Sequence, residues 1–298
     1  MRAGAQPYGA RLRLPTRVKI KGLNVVPKAS DITVDPAGWG PMWNTFDWAG
    51  WIKPQIDLAI TQGANTVKVT GSGATASYPS QSVFQSRMRQ FLDYCLSSKL
   101  FVYWNYASSD WGGSVATATP FLQAVVGVLS PYPNVIAIDC ANEIGLFGIT
   151  LANAQSLCQV GKAAGSLPVT GSLSCNSAAA FTDGTASGIA PYVDFMDFHP
   201  YFDTGDPSNN DWATYRAATY YKPWLIGECG KQNTLAASIV QSRWTALGQI
   251  SNLAADCFGV VGFSITDYDT NQFGMYPATL TGARSQQSVP FSAWPGRQ

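Results

Sequence analysis

Lys222 to Gly230, KPWLIGECG, decides how this chain is read. A strand of four to six residues here carries Trp224, Leu225 and Ile226 into a core and delivers the acidic Glu228 at its mouth. The design recurs upstream. Val135 to Gly145, VIAIDCANEIG, stays apolar for several residues and then stops at Asn142 and Glu143. If both strand ends lie on one rim of one sheet, they bring together the paired carboxylates that acid–base chemistry at a glycosidic bond requires.

Outward from these two strands one unit repeats. Strands are expected at Val18–Val26, Ala64–Gly71, Leu100–Tyr106, Val135–Ala141, Leu167–Ser172, Val193–Phe198, the opening stretch and Phe258–Ile265. Helical spacing lies between them at Trp51–Gln62, Ser80–Lys99, Phe121–Leu129, Leu151–Ala164, Trp212–Tyr221 and Leu235–Asp256, more weakly at Ser177–Ile189, and Asp35–Trp48 reads as a loop rich in Trp, Pro and Gly. Parallel neighbours need a crossover, and a helix is the usual one. Eight such units predict an α/β fold closed as a (β/α)8 TIM barrel. The expected organisation is an N-terminal arm over 1–16, without periodicity, followed by a single barrel over 17–298, a length one domain can fill.

Composition narrows the partners. Charged residues make up 12% of the chain and the net charge is +1, so no strong field draws it to nucleic acid or an anionic membrane. A neutral partner is expected. The six cysteines show no CxxC spacing and several sit in apolar runs, which predicts free, buried thiols. With one histidine, His199, neither a histidine zinc site nor a Ser-His-Asp triad is easily built, so no metal and no cofactor are expected. No window reaches membrane-spanning length, and MRAGAQPYGARLRLPTR has no apolar stretch behind its arginines, so no signal peptide is read. Nothing reads as a dimer seam, which leaves a monomer as the expectation.

In a barrel all strand ends meet at one rim, and here they hold Asn24, Lys68, Asn105, Asn142, Glu143, His199, Tyr201, Glu228 and Asp267. Polar residues at strand ends can simply begin solvated loops. Two glutamates that each follow an uninterrupted apolar strand fit that reading less well. Asn142-Glu143 at strand four, His199-Pro200-Tyr201 at strand six and Glu228 at strand seven make the chain resemble a clan A glycoside hydrolase, most nearly the family 5 cellulases and mannanases, over roughly residues 18 to 295. The resemblance implies a retaining double displacement with Glu143 as acid/base and Glu228 as nucleophile. It also implies Asn142 on the sugar 2-hydroxyl, Tyr201 donating to Glu228 and His199 near the same subsite.

The family pattern is broken in places. Lys68 stands where an arginine is usual and lacks the bidentate fork. Asn105 replaces a strand-three histidine, and FSITDYD has no strand-eight tryptophan, so Tyr268, Phe273 or Trp294 would take that place. Lys68 is read either as a charge holding Glu228 ionised or as a surface lysine. Trp39, Trp43, Trp104 and Trp111 follow strands one and three, where an indole either stacks on a pyranose or packs under a loop. Long aromatic loops there imply an extended cleft, endo action and a polysaccharide, a substrate class that fits an extracellular or particle-associated protein. Two alternatives stay open: a non-catalytic carbohydrate-binding barrel, and a Schiff-base lyase working through Lys68.

Overall fold

The computed structural model describes residues 18–35, 38–106, 108–175, 184–201, 217–230, 235–253, 256–267 and 274–294. The arm over 1–16, Tyr268, Phe273 and the first half of the helix expected at Trp212–Tyr221 lie outside them. The strands are β1 (Ile20–Asn24), β2 (Thr66–Thr70), β3 (Phe101–Asn105), β4 (Val135–Asp139), β5 (Val169–Thr170), β6 (Ser172–Ser174), β7 (Met196–His199), β8 (Trp224–Cys229) and β9 (Cys257–Gly262). All pair in parallel, in the order β5-β4-β3-β2-β1-β9-β8-β7-β6. Only Gly171 separates β5 from β6, so these are two pieces of one strand, the first paired with β4 and the second with β7. The row therefore begins and ends on the same strand, and the sheet closes into a barrel of eight positions, as the sequence predicts.

Helices described in chain order are α1 (Ala29–Ile32), α2 (Trp39–Thr45), α3 (Lys53–Thr61), α4 (Gln81–Ser97), α5 (Val115–Leu129), α6 (Leu151–Ala164), α7 (Thr185–Ile189), α8 (Ala237–Leu253) and α9 (Ser285–Ser292). Each long one turns an apolar stripe to the barrel; in α4 the buried stripe is Phe84, Met88, Phe91, Leu92 and Cys95. α5 starts earlier than its apolar spacing suggests because Ser114 caps it, its Oγ accepting from Thr117 N at 3.1 Å. The Asp35–Trp48 stretch is no simple loop. It folds into α2, followed by a π-helical turn at Trp48–Ile52. All six cysteines are free and buried.

Period-two alternation sorts the strand residues between two cores. Val67, Val69, Val102, Trp104, Phe198, Trp224 and Ile226 join the large core beneath the helices. Ile20, Tyr103, Ala137, Phe195, Leu225 and Val261 form a smaller apolar cluster inside the barrel. Their same-facing neighbours one or two steps towards the C-terminal strand ends are polar and buried: Asn24 after Ile20, Asn105 after Tyr103, Asp139 after Ala137, Asp197 and His199 after Phe195. The barrel is thus plugged by apolar side chains below and polar ones above, which puts the charged layer at the rim where barrel chemistry is done.

Candidate active site

Glu228 owes its direction to an irregularity. Leu225 faces inward, and strict alternation would turn Glu228 outward; the register shift between Ile226 and Cys229 against β9 turns it back into the barrel. Gly227 is required beside it. A Cβ built there would come within 2.1 Å of Asp197 Oδ1, so the missing side chain leaves room for that buried carboxylate. Cys229, next along, is buried and donates its Sγ–H to Val261 O at 3.3 Å.

The Glu228 carboxylate is held from several sides. Oε1 accepts from Asn24 Nδ2 at 2.5 Å and lies 4.0 Å from Lys68 Nζ; Oε2 lies 3.1 Å from His199 Nδ1. Burial alone would push its pKa up. The Lys68 and His199 charges, with the close approach of His199 Nδ1 and the hydrogen bond from Asn24, outweigh burial and hold the carboxyl at about 2. Lys68 is no surface residue: it is 1% exposed, lies over the Tyr103 ring at 5.2 Å and donates to Gly227 O at 3.2 Å.

Glu143 is held differently. β4 ends at Asp139, and the chain then turns so that Glu143 sits at φ 50°, in the left-handed region where a non-glycine side chain costs energy. The split barrel strand compensates. Ser172 Oγ accepts from Glu143 N at 2.9 Å and Ser172 O accepts from Ile144 N at 2.9 Å. One carboxylate oxygen of Glu143, one of Glu228 and a ring nitrogen of His199 all lie within 4.8 Å of one another. Asn142 is buried beside them, its Oδ1 accepting from Asn105 Nδ2 at 3.0 Å.

His199 is the centre of a fully buried array. Nδ1 lies 3.7 Å from Glu143 Oε1 as well as 3.1 Å from Glu228, while Nε2 lies 3.5 Å from Asp197 Oδ2 and 3.2 Å from Lys68 Nζ. Tyr103 donates its hydroxyl to the same Asp197 oxygen. Burial and the Lys68 charge push the His199 pKa down, but Glu228 and Asp197 prevail and raise it well above the usual value. Burial drives Asp139 up to about 6 against the pull of Lys68. Two donor sets, Asp139 with Asp197 and His199 and Glu143 with His199 and Glu228, are close enough to hold a metal. Lys68 Nζ stands 3.2 Å from His199 Nε2 and 4.0 Å from Glu228 Oε1, so a divalent ion there would have to face it at close range.

The structure gathers Glu143, Glu228, Asn142, Asn105, Lys68 and His199 at one place. Asn105 holds Asn142 and Thr70 Oγ1 rather than opening to solvent, and the fully buried His199 stands behind the glutamates. Tyr201 is half-buried with its ring edge-on to Phe263 at 6.0 Å. The indoles read either as sugar platforms or as packing are buried. Trp43 and Trp104 are fully buried in the large core, 5.5 Å apart, their Nε1 atoms donating to Thr70 O and Gly71 O; Trp39 is buried on α2, and Trp111 donates to Phe147 O. Trp294, one of three candidates for the strand-eight aromatic, stacks on Trp244, and Asp267 at the strand end is clamped by Arg284. Tyr268 lies outside the described residues. Sequence reasoning missed Asp197, Tyr103 and Asp139. The spacing of Asp197 and His199, two apart on one strand, was the signal for the first.

No family profile and no curated protein matches the chain. Solved structures do. The catalytic domain of the major endoglucanase of Xanthomonas campestris superimposes with a TM-score of 0.60 at 14% identity, over 93% of this chain and 95% of that one. A broad-specificity family 5 endoglucanase from Clostridium acetobutylicum gives 0.65 at 15%, over 92% and 97%. A family 5 subfamily 18 protein from Streptomyces cattleya, solved with Manβ1-4GlcNAc, gives 0.67 at 13%, over 91% and 80%. The chain shares the (β/α)8 barrel fold of these structures. At these identities the likeness is one of fold, and chemistry has to be argued from the residues at the rim.

Proposed function

We propose that this protein is a retaining glycoside hydrolase that cleaves β-linked polysaccharide or oligosaccharide, with Glu228 as nucleophile and Glu143 as acid/base. The observation that carries this is the approach of the two carboxylates, with oxygens within 4.8 Å of each other at the rim of a closed barrel. Retaining pairs stand about 5 to 5.5 Å apart, whereas inverting pairs need about 6.5 to 9.5 Å to admit a water. Glu228 attacks the anomeric carbon as Glu143 gives its proton to the departing oxygen. Water, its proton taken by Glu143, then releases the sugar from the Glu228 ester. The depressed pKa keeps Glu228 ionised as a nucleophile must be, and the glycoside hydrolase neighbours support the reaction class. Asn142, its Oδ1 already engaged by Asn105, offers its Nδ2–H to the sugar 2-hydroxyl, a contact that strengthens as positive charge grows on the ring. We further propose endo action by a monomer formed of one barrel.

A reducing-end assay over β-linked glucans, mannans, xylans and galactans tests the reading, with NMR of the first-formed anomer. Product that appears first in the β configuration supports it. Product of inverted configuration would overturn the mechanism, and binding of a glycan without turnover would move the function to a carbohydrate-binding barrel.

A further inference from the structure

The fully buried His199 stands behind both glutamates, with Nδ1 3.1 Å from one and 3.7 Å from the other. Its Nδ1 nevertheless makes no in-line hydrogen bond to either carboxylate. The ring nitrogen is within 4 Å of both. Its opposite nitrogen lies 3.2 Å from Lys68 Nζ and 3.5 Å from Asp197 Oδ2, an oxygen that Tyr103 also holds. The other charged groups around it are Lys68 from β2 and Asp139 from β4, so two cationic side chains stand among four carboxyl groups.

We propose that His199 is an imidazolium that serves as a counter-ion shared by Glu143 and Glu228, so that one buried positive charge accompanies the negative charge as it passes between them. This rests on the double-displacement reading. In the resting protein the negative charge is on Glu228. When Glu228 forms the glycosyl ester it becomes neutral, and Glu143, having given its proton to the leaving oxygen, becomes the carboxylate. His199 keeps both of its protons throughout, and its charge stands 3.1 Å from one carboxylate and 3.7 Å from the other, close enough to accompany whichever is ionised. Histidine and carboxylate together hold a net charge of zero at each stage, so the low-dielectric interior never faces an uncompensated charge. His199 is here a positioning residue: it acts on the reacting carboxylates from behind.

His199 is the sole histidine of the chain, so selective 15N-histidine labelling gives one pair of ring signals that reports protonation directly. The titration is run on the native protein, on Glu143→Gln, on Glu228→Gln and on the double variant, with melting curves to establish that each is folded. The native ring is expected to be doubly protonated well above pH 6.5. Each single variant should retain it, since the remaining glutamate takes the charge, while the double variant should lower the midpoint by about two pH units or more. Should the double glutamine variant not fold, Glu143→Ala with Glu228→Ala gives a second cycle. A neutral native ring at pH 7 would overturn the proposal, and so would a Glu228→Gln variant whose midpoint falls as far as that of the double. The titration needs no substrate, so it judges His199 separately from the hydrolase reading, which stands or falls on turnover.

Discussion

Glu228 and Glu143 end strands of the same barrel and are held in opposite ways. Glu228 lies on a strand, and its side chain is fixed by Asn24, Lys68 and His199. Glu143 lies past its strand with its backbone at φ 50°, fixed through main-chain contacts to Ser172, while its carboxylate lies 3.7 Å from the same His199 Nδ1. In the proposed mechanism the nucleophile has to be charged and aimed before substrate arrives, which the donors around the Glu228 oxygens provide. The proposed acid/base has to change protonation twice in a turnover, and an anchored backbone with less committed oxygens suits Glu143 to that role.

The sharpest way to break this contrast is to remove each carboxylate. Glu228→Ala should lower kcat/KM by about 10⁴ or more on every substrate, since no intermediate can form. Glu143→Ala should cost about 10² to 10⁴ on natural glycosides, and far less in the glycosylation step of a dinitrophenyl glycoside whose leaving group needs no proton. Equal losses on both substrates would merge the two roles.

Next in size is the charge behind the nucleophile. Lys68→Met should lower kcat/KM by about 10- to 100-fold at neutral pH and move the acid limb of the pH profile upward, because the group that does most to depress the Glu228 pKa is gone. The sign for stability follows. The folded pKa of Glu228, about 2, lies below its ordinary 4.5, so the stability it contributes is present above 4.5 and is lost as pH falls towards 2. Acid melting curves of the native protein should drop through that window, and those of Lys68→Met should be flatter there. An unmoved acid limb would detach Lys68 from Glu228.

Smaller effects test the support. Gly227→Ala places a Cβ where Asp197 now sits, and should destabilise by about 1 to 3 kcal/mol while disturbing His199. Trp43→Phe should cost stability of similar size and leave KM unaltered, as befits an indole in the core. A rise in KM would return Trp43 to the sugar site.

The barrel was legible because each strand is an apolar run and each long helix has its own apolar period, signals that survive without tertiary information. Glu143, Glu228 and His199 were legible because they interrupt such runs at strand ends. Asp139 and Asp197 were not. They sit inside the runs, and only the inward face of a closed barrel gives a buried carboxylate a lysine, a histidine or a tyrosine as neighbour. The direction of Glu228 was legible only in outcome, since the register shift that turns it inward depends on the pairing with β9. Tryptophans failed for the converse reason: WGPMWNT reads as a Gly- and Pro-rich loop, yet α2 folds there and carries Trp43 under the barrel wall.

The measurement that bears most directly on the central claim is chemical rescue of Glu228→Ala by azide on an activated aryl glycoside of whichever sugar the panel identifies. The account predicts that azide restores turnover and yields a glycosyl azide of inverted anomeric configuration, because the small anion enters from the face the carboxylate has vacated. A Glu228→Ala variant that hydrolyses the glycoside as fast as the native protein without azide would contradict it.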